Sequence, residues 1–550
     1  MKNTFTLFSR FCLGVLFFAC IGNVHAQNLK VGALNKASSY YDPIILGEDD
    51  DAIYVLASFA LGSYKLEAYD KNNSNLRMYS VPVQHDKIGK NKVEVEKVSL
   101  LKDELLVFYS YFDKETKLYN LFAKPVNKKT GEFKDVRADI ASIEVEKKRR
   151  KGDFTMALSD DRSKLFIYHV AYSKAYKMDM RKYMLLDNDL NILFEKELDE
   201  GEFMPRNYIV DNDGSIYYLK YSDMDLYVGS YDANRDYENW EEKIVFENSF
   251  GESHFLHNLQ VNITKDNNMT VTGLVTVGEP GRKTKVKTNG IRFALESATN
   301  KGDLKGSVFI SMDRESKELH TAKFNPFSEE LFEQFRTNKD VKKGKKGDMG
   351  KSYAGERVIN KDDGSVLMIV EQYSAMNYTD RHGNVNGRYV EFGDLVIMNF
   401  DNEGDMVWAN RLPKRQYFFW QDMSGAFIAS SRGLRFIFRP LEWKTTRHFS
   451  AATGLFDDKL VVLYNDMLKN VNERTMHDKQ KRFKKPRKAV TVKYEFDLET
   501  GERKKSLYPD YLVSQTYLCP LDHYQQGKNS NLILYGIKGK KYSYSILSND

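Results

Sequence analysis

The chain has 550 residues, 41% apolar and 13% aromatic, with 83 basic against 77 acidic side chains for a formal charge of +6. A disulfide-stapled scaffold is excluded, because of three cysteines Cys12 and Cys20 lie in an N-terminal leader and leave Cys519 alone. The length excludes one ordinary hydrophobic core and asks for several domains or a repeated unit.

Residues 1–26 carry Lys2 and Arg10, the apolar run "FCLGVLFFACIG" and then "NVHAQ", with Val24 and Ala26 at the small-residue positions before Gln27. This is the pattern of a secretory signal peptide. A lipid anchor at Cys20 is the alternative, although "FFAC" puts Phe17 where such sites prefer Leu. No later segment reaches the ~20 apolar residues that a membrane helix needs. The expected setting is export, to the periplasm, the outer-membrane surface or the medium.

From residue 27 onward one device recurs: an acidic turn followed by an apolar run. It reads "EDDDAIYVLAS" (48), "KDELLVFYS" (102), "DDRSKLFIYHV" (160), "DNDGSIYYLKY" (211), "KDNNMTVTGLV" (265), "KDDGSVLMIVE" (361), "DDKLVVLYN" (457) and "KNSNLILYGI" (528). Each is a hairpin turn feeding a buried strand. A second series falls between them, including "EAYDKNNSNL" (67), "LLDNDLNIL" (185), "MNFDNEGDMVW" (398) and "YEFDLETGERK" (494), where a strand ends at an Asx or Gly turn and another begins. Two hairpins per repeat make four antiparallel strands, which is one propeller blade.

The expectation is therefore an all-β chain: a β-propeller of four-stranded antiparallel blades over 27–550, with eight blades expected and seven the alternative. In the best preserved repeat, strands A to D are "GERVIN", "SVLMIVEQYS", "FGDLVIMNF" and "MVWANRLP". The last repeat lacks a fourth strand, whereas "NLKVGAL" (28–34) stands alone before the first. Docking one onto the other closes the ring and removes two sheet edges. "GAFIASSRGLRFIFRPLEW" (425–443) fits the repeat poorly and reads as an extra hairpin.

The stretches "DDGSVLMIVEQY", "GDLVIMNFDNEGDMVWANRLPKRQ" and "GSVFISMDRESKELHTAKFNPFSEELFEQF" resemble a family of exported Bacteroidetes proteins with propeller-like repeats. The likeness covers residues 254–420 well and the rest in pattern. It implies an envelope or extracellular setting. The family has no assigned activity, so no catalytic residue carries over.

Charge is segregated. Four stretches, 147–151, 282–287, 336–351 and 469–488, hold +21 between them, so the remaining mature chain is negative. In a meander the A to B and C to D turns share one side of the disc, and the B to C and D to A connections share the other. All four basic stretches fall in the second class, in insertions at 141–152, 279–290, 326–353 and 466–488. One face is thus expected to be short-turned and acidic, the other long-looped and basic.

The candidate ligand-binding residues are Lys147, Lys148, Arg149 and Arg150 in the first stretch and Lys342, Lys343, Lys345 and Lys346 in the third. Lys481, Arg482, Lys484 and Lys485 complete the set. Charge runs are usually solvated, but loops of this length in a compact repeat often carry function. The partner class is anionic: a glycan, lipid headgroups or an acidic protein. Nucleic acid is not favoured, because no recognition motif is present and the loops show little aromatic interleaving beyond Phe483.

Strand A opens with Gly plus an acid in four blades, so Asp153, Glu202, Glu252 and Glu356 are candidates for a carboxylate ring at the channel mouth. Turn chemistry accounts for the same residues. The ring is the basis of the second function, a hydrolase. "DNDGS" lacks the ligand pattern of a calcium loop, since a sixth-position Gly214 puts Ile209 first and Lys220 twelfth, and "DNEGD" likewise reads as a turn. His254 and His257 diverge on a strand. No metal or cofactor is expected, nor any nucleophile elbow or nucleotide fingerprint. Cys519 reads as a small apolar core residue. The leading function is a cell-envelope binding or scaffold protein that contacts an anionic partner through its basic loops.

Overall fold

The computed structural model describes residues 27–36, 41–60, 63–173, 178–200, 205–221, 225–246, 254–264, 268–277, 303–347, 349–350, 353–379, 385–420, 447–471, 477, 480–485, 488–508 and 516–549. Eight four-stranded antiparallel units follow one another as an eight-bladed β-propeller. Blades 1 to 7 occupy 42–82, 93–144, 153–200, 205–243, 254–326, 353–412 and 452–507, with strands A to D in chain order. Strand A of each blade lies against strand A of at least one neighbouring blade, which makes it the inner strand.

The run after the sixth turn shows why these sequences make blades. Lys361 N donates to Ser365 O at 2.8 Å and Ser365 N to Asp363 Oδ1 at 3.0 Å, while Gly364 takes a φ of 81° that L side chains resist. The strand that follows is apolar without alternation because neighbouring blades cover both of its faces. Leu367 and Ile369 pack with blade 7, and Val366, Met368 and Val370 pack with blade 5.

Blade 8 consists of Tyr517–Tyr524, Leu532–Lys538, Lys541–Asn549 and, as its outer strand, Gln27–Val31. The register runs from Gln27 opposite Asn549 to Val31 opposite Ser545, so the N-terminal strand closes the ring as the unpaired "NLKVGAL" predicts. The seam between blades 8 and 1 is also stitched by polar groups. Buried Glu67 accepts from Tyr41 at 2.8 Å, Tyr69 at 2.5 Å and Ser80 at 2.8 Å, and Tyr41 and Tyr69 reach Tyr544 and Tyr542.

Strand A is bulged in blades 1, 2, 4, 5, 6 and 8. Its free edge would otherwise expose carbonyls in the channel. Side chains at the bulges cap them on the next blade. Lys97 donates to Met156 O at 2.8 Å, Asn207 to Leu259 O at 2.5 Å, Asn258 to Tyr353 O at 2.6 Å and Arg357 to Thr453 O at 2.8 Å.

Blade 6 departs from the expected strand limits. Strand B runs Val366–Thr379 and strand C Val385–Phe400, and an added strand, Gln416–Trp420, pairs with the extension of C. The hairpin therefore grows past the disc on the long-loop side. The extra hairpin expected at 425–443 and the basic stretch 282–287 lie outside the described residues.

Candidate functional site

At the short-turn face the channel is crossed by protein. The A to B connection of blade 8, residues 525–531, sends Gln526 to Asp160 O of blade 3 at 3.3 Å and Lys528 to Asp362 of blade 6 at 2.8 Å. Asn531 reaches Glu48 of blade 1 at 3.2 Å. From the opposite direction Arg162 of blade 3 skips blade 2, donating to Glu48 O at 3.3 Å and to the Tyr524 hydroxyl of blade 8.

Some acids on this face are paired with basic neighbours. Arg314 pairs with Asp211 and, at 3.5 Å, with Asp213; Lys317 pairs with Asp232 at 3.0 Å, Lys323 with Asp405 at 3.1 Å and Lys134 with Glu104 at 2.8 Å. "DNDGS" and "DNEGD" are thus turns held by basic side chains. Asp50, Asp103, Asp187, Asp189 and Glu499 of the same turns make no ion pair among the described residues, so the expected acidic character is retained and only in part paired.

On the long-loop face the first basic stretch divides. Lys147, Lys148 and Arg149 are exposed, and Arg150 pairs with Glu146 at 2.5 Å, around a one-turn 3-10 helix Lys148–Arg150. Lys151, the fifth charge of the run, is buried. It pairs with Glu94 at 2.6 Å, donates to the Tyr119 hydroxyl at 3.0 Å and lies over that ring. Glu96 nearby accepts from Ser110 and Tyr119, and burial pushes its carboxyl up to about 7. The motif "VEVEKV" carries that signal, in an acid at a core position, and the sequence reading passed over it.

The third and fourth stretches form one unit. The blade 5 to 6 connection folds as α1 (Glu329–Gln334) and α2 (Asn338–Lys342), capped by Ser328 and by a Thr337–Asp340 capping box. Phe327, Leu331, Phe335 and Met349 bury it against blades 5 and 6. The blade 7 insertion begins with α3 (Leu468–Val471). Its His477 joins the two: Asn338 N donates to His477 O at 3.0 Å, and His477 Nδ1 meets Arg336 O at 2.9 Å.

The segment 481–485 is not a loose loop. Phe483 is fully buried against Phe392 and Phe449, exchanging backbone bonds with Arg415 and Tyr417 beside the added strand of blade 6. Phe483 is therefore an anchor and not part of a solvated charge run. Around it Lys481, Arg482, Lys484 and Lys485 are exposed, with Arg482 and Lys484 at 4.9 and 5.2 Å from the centre of the Tyr417 ring. Asn470 holds Lys481 through both backbone groups, at 2.8 and 3.0 Å, and Asp466 holds Asn470 at 2.7 Å. Burial pushes the Asp466 carboxyl up to about 6.

Beneath this unit Lys414 and Glu371 form an ion pair with side chains 0% and 1% exposed, and Ser450 donates to Glu371 at 2.7 Å. Lys342, Lys343 and Lys345 are exposed, whereas Lys346 faces Glu329 at 3.5 Å with both side chains in solvent. Lys345 stands in the field of the Asp340 carboxylate, whereas Lys342, Lys343 and the four cations around Phe483 make no ion pair among the described residues.

Of the proposed channel-mouth ring, Asp153 opens strand A of blade 3 and Glu356 sits at the bulge between Gly355 and Arg357. Glu202 and Glu252, and the side chain of Glu356, lie outside the described residues. His257 is buried with no hydrogen-bond partner on either ring nitrogen among the described residues, and burial holds it down at about 4; the side chain of His254 is outside the description. Among the described residues no three His, Cys, Asp or Glu side chains come together as a metal site. Cys519 is buried in an apolar cluster, as expected, but its Sγ lies 3.6 Å from His448 Nδ1, a partner 71 residues away that local sequence could not disclose.

The sequence matches no protein-family model and no curated protein. Among solved structures, the chain is similar to a prolyl endopeptidase at 9% identity and TM-score 0.36, over 92% of this chain and 55% of that one. It is similar to the Dos1 propeller at 10% identity and TM-score 0.38, over 95% and 96%, and to the polysaccharide lyase Uly1 at 8% and 0.35, over 85% and 91%. The chain thus spans about half the length of the endopeptidase. These likenesses carry no argument about chemistry.

Proposed function

We propose that the chain is an exported cell-envelope binding or scaffold protein that contacts an anionic partner through the blade 5 to 7 end of its long-loop face. One observation carries the reading: two insertions, docked to each other through His477, hold the exposed cations Lys342, Lys343, Lys481, Arg482, Lys484 and Lys485, none of which makes an ion pair among the described residues. Like charges held together without counter-charges cost stability, and an anionic partner or salt relieves that cost. The leader supports export, and no helix among the described residues is long and apolar enough to cross a membrane.

The test is salt elution from an anionic matrix, such as immobilised heparin. Retention is expected to fall steeply as added salt shortens screening from ~10 Å to ~3 Å. The variant Lys481→Gln, Arg482→Gln, Lys484→Gln, Lys485→Gln is expected to elute well before the parent. Elution of both at the same salt concentration sinks the proposal.

A further inference from the structure

We infer that the partner of this basic unit is an anionic lipid surface, so that the propeller lies with the blade 5 to 7 end of its long-loop face on a membrane. The inference rests on the proposed anion-binding reading and adds the kind of partner. Its observation is different: each docked insertion exposes an aliphatic side chain among its cations. Val341, in α2 beside Lys342 and Lys343, is 41% exposed, and Leu468, which opens α3 beside Lys469, is 52% exposed. Short basic helices that present apolar side chains to solvent are the chemistry of interfacial docking, with cations at the headgroups and aliphatic groups entering the acyl boundary.

The aromatic residues of the unit argue against a glycan. Sugar rings are gripped by flat aromatic faces, and these faces are spent on packing. Phe327, Phe335 and Phe483 are buried, and Tyr417 is half-buried beneath Arg482 and Lys484. Apart from Glu329 and Glu330 of α1, what the described residues of the unit offer outward is chiefly positive charge and aliphatic carbon, which suits a lipid headgroup layer. The backbone tether of Lys481 to Asn470 and the burial of Phe483 fix the strip in advance, which lowers the ordering cost of contact.

The experiment is co-sedimentation of the chain without its leader with vesicles of phosphatidylglycerol and phosphatidylcholine, and with vesicles of phosphatidylcholine alone. Heparin elution is run on the same proteins. The parent is expected to sediment with the phosphatidylglycerol vesicles only. Replacing the four cations at 481, 482, 484 and 485 with Gln is expected to weaken partitioning on the order of several hundredfold, at about fivefold per cation. The variant Val341→Ser, Leu468→Ser is expected to lose about tenfold in vesicle binding while eluting from heparin with the parent, a readout that a merely electrostatic surface would not split. Both positions are exposed, and circular dichroism checks that the variant folds. Heparin binding without vesicle binding, or equal vesicle binding by the Ser variant, overturns the lipid inference and leaves the anion-binding reading standing. Loss of neither interaction in the Gln variant overturns both.

Discussion

The two faces of the disc use the same kinds of charged residue to opposite effect. At the short-turn face, acids of one blade meet bases of the next or of the same blade, as in Lys317–Asp232 at 3.0 Å and Lys134–Glu104 at 2.8 Å, and Arg162 with residues 525–531 crosses the channel. At the long-loop face Lys342, Lys343 and the cations of 481–485 make no ion pair among the described residues, on a scaffold anchored by Phe483 and the Lys414–Glu371 pair. Charge that is paired between blades holds a ring together. Charge that is anchored but unpaired is available to something outside it.

Substitutions and acidification probe that difference, in descending order of effect. Glu371→Ala leaves the Lys414 ammonium buried without its counter-charge and should cost ~3–5 kcal/mol in urea unfolding. The double change Glu371→Leu, Lys414→Met should cost much less, which separates loss of a partner from loss of volume. Phe483→Ala should cost up to ~3–5 kcal/mol and reduce retention on an anionic matrix as well, because the cations lose their mount. An unchanged melting temperature would show that the segment is not held by packing.

Acidification comes next. His169, His257 and His448 are held by burial at about 4, whereas the unfolded chain titrates near the ordinary value of about 6.5. In that window the unfolded state binds protons that the folded state does not, so stability is present above about pH 6.5 and is lost as pH falls towards 4. Each histidine contributes on the order of 3 kcal/mol at most, from ~1.4 kcal/mol per pKa unit. Glu96 and Asp466, raised to about 7 and about 6, act oppositely and gain stability as pH falls. Three histidines outweigh two acids, so the urea midpoint should drop between pH 7 and pH 4.5, and a rise would contradict the buried-histidine account. The smallest effect belongs to the turn face. Arg162→Ala should cost ~1.5–3 kcal/mol and Lys528→Gln less than ~1 kcal/mol, with anionic retention unchanged in both.

The blades were readable because their signals are local. Asp363 and Gly364 make a turn wherever they occur, and a five-residue apolar run with both faces buried announces itself. The closing strand was readable by subtraction, since the last blade lacked one. What escaped the reading depends on partners far along the chain. Lys151 looks like Lys147 in "KKRRK", and only Glu94 and Tyr119 make it a core residue. Phe483 looks like an aromatic in a solvated run until Phe392 and Phe449 close over it. The inner-strand bulges are a matter of register between strands, and His477 joins two insertions separated by 141 residues. The positive strip was visible in composition; its mount and its continuity were not.

The most direct measurement is hydrogen–deuterium exchange of residues 27–550, with and without phosphatidylglycerol-containing vesicles at low salt. Slowed exchange confined to 336–346 and 477–488 is the predicted result, with 525–531 and the Asp49 to Asp51 turn unaffected. Slowing centred on those turn-face segments, or no slowing at the basic unit under conditions where the protein sediments with the vesicles, would contradict the account.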